Sequence, residues 1–191
     1  QAKLNLILGM NLDIEYIMPA HGIIWKDYIG DIIETYKGIA AQKTENKAVI
    51  VYESVWKHTQ QIAESLAEGF SDAGMDVKVY KLSDTKSSIV MREIMDAKVV
   101  CIGSGTYNNV MAPSVAAFLE HIRPCKLKNK KGLAFAAYGW FNQVAKEIDT
   151  RMQQSGIESC HDVINQCYTP SDDQLEDYYN IAKEIVKNCQ E

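Results

Sequence analysis

The sequence lacks the features that identify several common classes of protein. Its 191 residues contain no apolar run that approaches the ~18 residues of a membrane-spanning helix. The five cysteines are odd in number and include no C-x-x-C pair, which argues against paired-cysteine zinc sites and favours reduced thiols. Acidic residues (25) outnumber basic residues (20), so no excess of positive charge points to nucleic acid. Residues 1–10 hold too short an apolar run for a signal peptide. We therefore expect a cytoplasmic protein that binds neither nucleic acid nor membranes.

Two nucleotide-binding motifs are also missing. The chain has no G-x-x-x-x-G-K-[ST] Walker loop, and no G-x-G-x-x-G follows its first predicted strand. These absences argue against a P-loop nucleoside triphosphatase and against a dinucleotide-binding Rossmann domain.

A polar run at residues 43–47 divides the chain into two parts, and we interpret it as a linker. The first part, residues 1–42, contains a helix-like segment at 1–10, a possible strand at 13–18 and an apolar stripe of helical spacing at 26–41. About 40 residues make a marginal core on their own. We therefore expect the stripe to pack either on the following domain or on a missing upstream one.

Residues 48–191 alternate between short apolar runs and amphipathic segments, which predicts strands and helices in turn. The predicted strands are residues 48–52, 77–82, 99–102, 133–137 and 163–167. This alternation predicts an α/β three-layer sandwich whose five-stranded parallel sheet has the order 2-1-3-4-5. A run of lysines at residues 126–131 is interpreted as a solvated turn, with a docking patch for an acidic redox partner as the alternative.

The loops after the first, third and fourth predicted strands carry the chemistry of a ligand site. Because the carboxyl ends of parallel strands meet at one edge of the sheet, these loops should converge. The first loop runs into a helix, whose unpaired N–H groups and dipole suit a phosphate. Its candidate binding residues are Ser54, Val55, Trp56, Lys57, His58 and Thr59.

The other two loops combine glycine, aromatic and amide residues, which suit a flat ring with polar edges. Their candidate residues are Ser104, Gly105, Thr106, Tyr107, Asn108, Asn109, Tyr138, Gly139, Trp140, Phe141 and Asn142. A phosphate loop beside two ring loops predicts flavin mononucleotide (FMN) as the cofactor. Two plainer interpretations stay open: Thr59 only caps its helix, and the aromatic residues only fill turns at the edge of the core.

These motifs resemble the flavodoxin domain of flavodiiron proteins. The resemblance covers roughly residues 47–189 and rests on Tyr-Asn-Asn at 107–109, Lys-Asn-Lys at 128–130 and Tyr-Gly-Trp at 138–140. It implies a flavodoxin-like fold and a non-covalently bound FMN. Two features depart from the family pattern: Gly105 stands where proline is common, and Lys57-His58 replaces Gly-Asn in the phosphate loop.

The first part of the chain resembles the last segment of the metallo-β-lactamase-like domain of the same family. Pro19-Ala20-His21-Gly22 matches a motif whose histidine is the final ligand of a di-iron site, so the resemblance assigns His21 as a metal ligand. The upstream H-x-E-x-D ligand motif is absent. We therefore interpret residues 1–42 as a remnant of that domain and the chain as the carboxy-terminal part of a larger enzyme, which alone would hold the di-iron site.

The resemblance also implies a function for the parent enzyme. A reduced donor such as rubredoxin, or a flavin or deazaflavin donor, supplies electrons through FMN to a di-iron site that reduces O2 to water or NO to N2O. Family members are commonly head-to-tail homodimers. Within this chain the expected role is electron transfer, and no residue is assigned as a general base or nucleophile.

Three alternatives stand beside this interpretation: a stand-alone flavodoxin carrier, a flavin reductase of the NAD(P)H:quinone type, and a binding module that has lost FMN. The Pro-Ala-His-Gly segment argues against the first, because a free carrier has no use for it. No nicotinamide surface is recognisable in support of the second. Lys57 and Gly105 motivate the third.

Overall fold

The structure, a computed structural model, describes residues 2–189 and divides the chain into two units, Gln1–Lys43 and Thr44–Glu191. The boundary falls within the polar run predicted as a linker. Of the helix-like segment predicted at residues 1–10, Gln1 lies outside the described residues.

The first unit is small and contains two helices. These are α1 (Ala2–Gly9) and α2 (Ile29–Ala41), and an antiparallel bridge joins Ile17 to Trp25 between them. The strand predicted at residues 13–18 is wrong, because only this single bridge forms there. Neither helix contains a buried residue, so they build no core within the unit.

The second unit is built on a mostly parallel sheet. Its strands are β1 (Glu45–Glu53), β2 (Asp76–Lys81), β3 (Ala97–Tyr107), β4 (Val110–Met111), β5 (Lys131–Tyr138), β6 (Glu158–Ser159) and β7 (Ile164–Cys167). The strand order is β2-β1-β3-β5, and β6 and β7 pair with opposite ends of β5 to fill the fifth position. The predicted order 2-1-3-4-5 is confirmed, although the fifth position holds two short strands and β4 adds an antiparallel hairpin to β3.

Helices cover both faces of this sheet. They are α3 (His58–Asp72), α4 (Ser87–Met95), α5 (Pro113–Ile122), α6 (Val144–Gln154) and α7 (Asp172–Asn188). One core lies between the sheet and α4, α5 and α6, and a second lies between the sheet and α3 and α7. The central strands are apolar throughout because helices cover both of their faces; residues 48–51 of β1, for example, are fully buried. The predicted three-layer sandwich is confirmed. None of the described helices is both long and apolar enough to cross a membrane.

Three boundaries differ from the sequence-based predictions. Residues 45–47 belong to β1, so the linker is shorter than residues 43–47. Strand β3 extends to Tyr107, which places much of the predicted ring loop inside a strand. Lys130, predicted in a solvated turn, is buried and donates to the carbonyl oxygens of Met95 and Ala97.

Candidate functional site

The carboxyl ends of β1, β3, β5 and β7 surround a cavity of about 350 Å³. The parallel register of these strands carries their following loops to the same edge of the sheet. The cavity is lined by Ser54, Val55, Trp56, His58, Thr59, Gly105, Thr106, Tyr107, Ala137, Tyr138, Gly139, Trp140 and Tyr168. The three loops selected from the sequence therefore meet at one cavity.

The first wall is the loop between β1 and α3. Lys57 adopts a left-handed conformation (φ 66°) and precedes α3, and its carbonyl oxygen accepts the N–H of Gln61 at 3.0 Å. The N–H groups of His58, Thr59 and Gln60 precede that first bond, so helix geometry gives them no intrahelical acceptor. The side chains of Ser54 and Thr59 are buried beside them. Because Lys57 occupies the N-cap position, the plainer interpretation of Thr59 as the helix cap is wrong.

The second wall is the end of β3. The hydroxyl oxygen of Thr106 is buried and has no hydrogen-bond partner among the described residues. A Cβ atom added at Gly105 would lie 3.4 Å from Cε2 of Tyr107 and 3.8 Å from Oγ1 of Thr59, so the first two walls approach each other there. Burial raises the pKa of Tyr107, and the nearby charge of Glu53 raises it further.

The third wall is the end of β5, where two residues differ in their exposure to solvent. Ala137 is buried, whereas the side chain of Trp140 is 82% exposed. Trp56, on the first wall, is 80% exposed. The cavity thus has buried residues at its floor, of which Ser54 and Thr59 carry hydroxyls, and an aromatic, exposed rim.

Six of the predicted cofactor residues do not line the cavity: Lys57, Ser104, Asn108, Asn109, Phe141 and Asn142. Ser104 has a backbone role, since its hydroxyl donates to the carbonyl oxygen of Gly105 at 2.7 Å and accepts the N–H of Ala112 at 2.8 Å. Asn108 and Asn109 form the left-handed turn between β3 and β4. Phe141 packs against the core, and Asn142 accepts a hydrogen bond from Gln143. A role for these six in holding FMN stays a prediction.

Tyr168 is a cavity residue that the sequence analysis missed. It follows β7, has φ 56°, and lies against Gly139, where an added Cβ atom would be 3.4 Å from its ring. The next residue is tied to the first wall, because Thr169 Oγ1 lies 3.1 Å from His58 Nδ1. The convergence of strand ends at one edge of the sheet applies to the loop after β7 as well, so it is a signal that could have indicated Tyr168.

His21 lies in the first unit and is exposed. Across residues 2–189, no group of three or more histidine, cysteine, aspartate or glutamate side chains is arranged to hold a metal ion. The assignment of His21 as a metal ligand therefore stays a prediction that concerns a longer protein.

The cavity residues fit a flavin nucleotide. Unpaired helix N–H groups beside two buried hydroxyls suit a phosphate. The unpartnered hydroxyl of Thr106 suits the polar edge of a ring, and the backbone of Gly105 and Gly139 permits the ring to approach closely.

Comparisons with known proteins agree with this fit. The flavodoxin family model matches residues 50–181. A nitric oxide reductase from Moorella thermoacetica is 41% identical over 156 residues, which cover 82% of this chain and 39% of that protein. The structure of rubredoxin oxygen:oxidoreductase from Desulfovibrio gigas matches with a TM-score of 0.94 and 31% identity, over 99% of this chain and 48% of that one.

A flavodoxin from the domain Archaea gives a different pattern of coverage. It matches with a TM-score of 0.69 and 25% identity, over 76% of this chain and 99% of that one. The chain thus spans less than half of the two enzymes above, and three quarters of it matches nearly the whole of a flavodoxin.

Proposed function

Because the chain belongs to the flavodoxin family, we propose that it binds FMN at the cavity described above and acts as an electron-transfer module of a flavodiiron oxidoreductase. The observation that carries the proposal is the meeting of a helix N-terminus, two buried hydroxyls and an unpartnered buried hydroxyl in one cavity. When bound, FMN supplies the capacity to accept and release electrons.

The residues of the chain have separate tasks in this proposal. Ser54, Thr59 and the first turn of α3 hold the phosphate, since hydroxyl and N–H donors satisfy its negative oxygens. Thr106 donates to or accepts from the polar edge of the ring. Tyr107 and Tyr168 line the cavity beside the ring.

The exposed rim favours electron exchange with another protein. Trp56 and Trp140 are each at least 80% exposed, so an electron donor or acceptor can approach the ring at this edge without rearranging the core. No catalytic acid, base or nucleophile is part of the proposal.

The wider activity belongs to a longer protein. About half of the rubredoxin oxygen:oxidoreductase covers 99% of this chain, whereas a stand-alone flavodoxin covers 76% of it. This difference supports a parent of the first kind. We assign the parent the reduction of O2 to water or of NO to N2O at a di-iron site that includes His21. Residues 1–42 are then the end of a metallo-β-lactamase-like domain.

Partners and location follow from the same parent. The donor is a reduced redox protein such as rubredoxin, or a flavin or deazaflavin donor, and the parent assembles as a homodimer. We place it in the cytoplasm, in agreement with five cysteines that are all free.

The first experiment is a visible absorption spectrum of the purified chain, before and after addition of FMN and removal of the excess. We expect a two-banded flavin spectrum with about one FMN per chain. A chain that retains no flavin at micromolar concentration would contradict the proposal. Oxidation of NADPH by the pure flavin-loaded chain would instead support a quinone-reductase type of activity.

A further inference from the structure

Glu53, the last residue of β1, carries a buried carboxylate that the function proposed above does not use. It is 8% exposed. Its Oε1 atom accepts the backbone N–H of Ser54 at 3.0 Å, and its Oε2 atom accepts the hydroxyl of Ser114 at 3.2 Å. One side chain therefore joins two segments that lie far apart in sequence.

Both of these segments lead to walls of the cavity. Ser54 opens the loop before α3, which forms the first wall. Ser114 lies in the first turn of α5, directly after the β3–β4 hairpin whose first strand forms the second wall. A bridge between them fixes the distance between the phosphate side and the ring side of the site.

The start of α5 also explains why a carboxylate is stable at this position. Ala112, its N-cap residue, has no side chain that can cap the helix. A negative charge near the N-terminus of a helix is favoured by the helix dipole. Glu53 therefore supplies the anion that this helix lacks locally.

Among residues 2–189, no lysine or arginine forms an ion pair with Glu53. In the described range, the ion pairs of lysine and arginine go to other carboxylates. Its charge reaches the cavity wall, because it adds to burial in raising the pKa of Tyr107.

We propose that Glu53 is a positioning residue of the flavin site: it bridges the phosphate loop to α5, and its unneutralised charge disfavours negative charge on the bound ring. This inference rests on the proposed function for its second half only, since the bridge itself exists without a ligand.

The bridge is tested in the flavin-free full chain by amide hydrogen exchange at Ser54. Glu53→Gln keeps the shape of the side chain but replaces a charged acceptor by a neutral one. We expect exchange at Ser54 to become about 5-fold faster, because a hydrogen bond to a charged acceptor is the stronger by ~1 kcal/mol. Ser114→Ala removes the hydrogen bond from Ser114 to Glu53 and keeps the charge of Glu53. It should increase the exchange rate at Ser54 by a smaller factor. Unchanged exchange in both variants would overturn the bridge.

The charge effect is tested with FMN bound. In Glu53→Gln, the dissociation constant of reduced FMN relative to that of oxidised FMN should fall several-fold, because the reduced ring carries more negative charge. The matched control is Glu64→Gln, since Glu64 is exposed and its side chain bonds Gln60 on the same helix face. An unchanged ratio in Glu53→Gln, or an equal change in Glu64→Gln, would overturn this half of the proposal. A wild-type chain that binds no FMN would sink the proposed function, whereas exchange at Ser54 would still decide the bridge.

Discussion

The two edges of the sheet handle buried polar groups in opposite ways. At the amino edge, where β1, β3 and β5 begin, the ammonium group of Lys47 pairs with Asp96 and lies 3.3 Å from Oε2 of Glu93. Lys130 donates to two backbone carbonyl oxygens at 2.9 and 3.2 Å. Each buried charge at this edge has a partner within the protein.

At the carboxyl edge one buried hydroxyl lacks a partner, and a buried carboxylate is held by uncharged donors only. The Thr106 hydroxyl has no hydrogen-bond partner among the described residues. In the same part of the chain, the carboxylate of Glu53 accepts hydrogen bonds from Ser54 and Ser114 and forms no ion pair. A buried hydroxyl without a hydrogen bond costs about 1–3 kcal/mol. The comparison teaches that the buried lysine charge of the amino edge is paired with carboxylates within the protein, whereas the carboxyl edge keeps a buried hydroxyl that a ligand could bond.

The pKa shifts of the two lysines show how the amino edge works. Burial lowers the pKa of Lys47, but hydrogen bonds and charge attraction from Asp96 and Glu93 outweigh burial, so the pKa is raised above 10.5. Lys130 has carbonyl partners without full charge, and burial lowers its pKa to about 8. Carboxylate partners therefore raise the pKa of Lys47, whereas burial without such partners in contact lowers that of Lys130.

The largest expected effect is the loss of FMN affinity when two hydroxyls of the phosphate loop, at the carboxyl edge, are removed. Ser54→Ala combined with Thr59→Ala should weaken FMN binding by roughly 2–3 kcal/mol, because each hydroxyl bond to a charged group is worth about 1–1.5 kcal/mol. The measurement is a fluorescence titration of FMN. The control is Ser83→Ala with Thr85→Ala, in a loop after β2 that does not line the cavity. Equal affinity in the two double variants would mean that the phosphate loop is assigned wrongly.

Removal of a buried cation at the amino edge should lower the free energy of unfolding and leave FMN binding at the carboxyl edge unchanged. Lys47→Met leaves Glu93 and Asp96 without their shared partner, and we expect a loss of about 2 kcal/mol in the free energy of unfolding. The loss is smaller than for a fully buried pair because the side chain of Asp96 is 42% exposed. The measurement is urea unfolding followed by circular dichroism.

The matched control for that change is Lys78→Met, which removes an exposed lysine paired with Asp76 at 3.1 Å. It should change the unfolding free energy by about 0.5 kcal/mol or less. FMN affinity should stay at the wild-type value in both variants. A loss of flavin in Lys47→Met would show that the two edges are energetically coupled.

The carboxyl edge was the more predictable of the two edges. Its loops follow apolar runs, and the parallel sheet carries each loop to the same place, so Ser54, Thr59 and Thr106 could be selected from local pattern and topology. The signal was weaker for Tyr168. The sequence predicted a strand at residues 163–167, but nothing in that pattern showed that the end of β7 borders Gly139.

The burial of Lys47 and Lys130 was not predicted from the sequence. Lysine and glutamate are mostly exposed in proteins, so composition placed residues 45–47 in a linker and Lys130 in a solvated turn. The burial of the two lysines depends on partners that are distant in sequence: Glu93 for Lys47, and the carbonyl oxygens of Met95 and Ala97 for Lys130. No local pattern reports such partners.

The smallest expected effect gives the sharpest test of the comparison, because it should have opposite signs for folding and for binding. Thr106→Val replaces the unpartnered buried hydroxyl by a methyl group of the same shape. We expect the flavin-free chain to unfold at equal or slightly higher urea concentration, with a gain of up to about 1 kcal/mol, because no hydrogen bond is lost. FMN should bind more weakly by about 1 kcal/mol, since the hydroxyl is then missing from the ring edge.

Thr150→Val is the control for this variant, because Thr150 is exposed on α6 and its hydroxyl donates to the carbonyl oxygen of Lys146 at 2.9 Å. It should cost a few tenths of a kcal/mol in stability and leave FMN affinity unchanged. If Thr106→Val instead destabilises the flavin-free chain by more than Thr150→Val does, its hydroxyl has a partner within the protein. The contrast between the paired lysine charge of the amino edge and the unpartnered hydroxyl of the carboxyl edge would then fail at Thr106, the residue on which it chiefly depends.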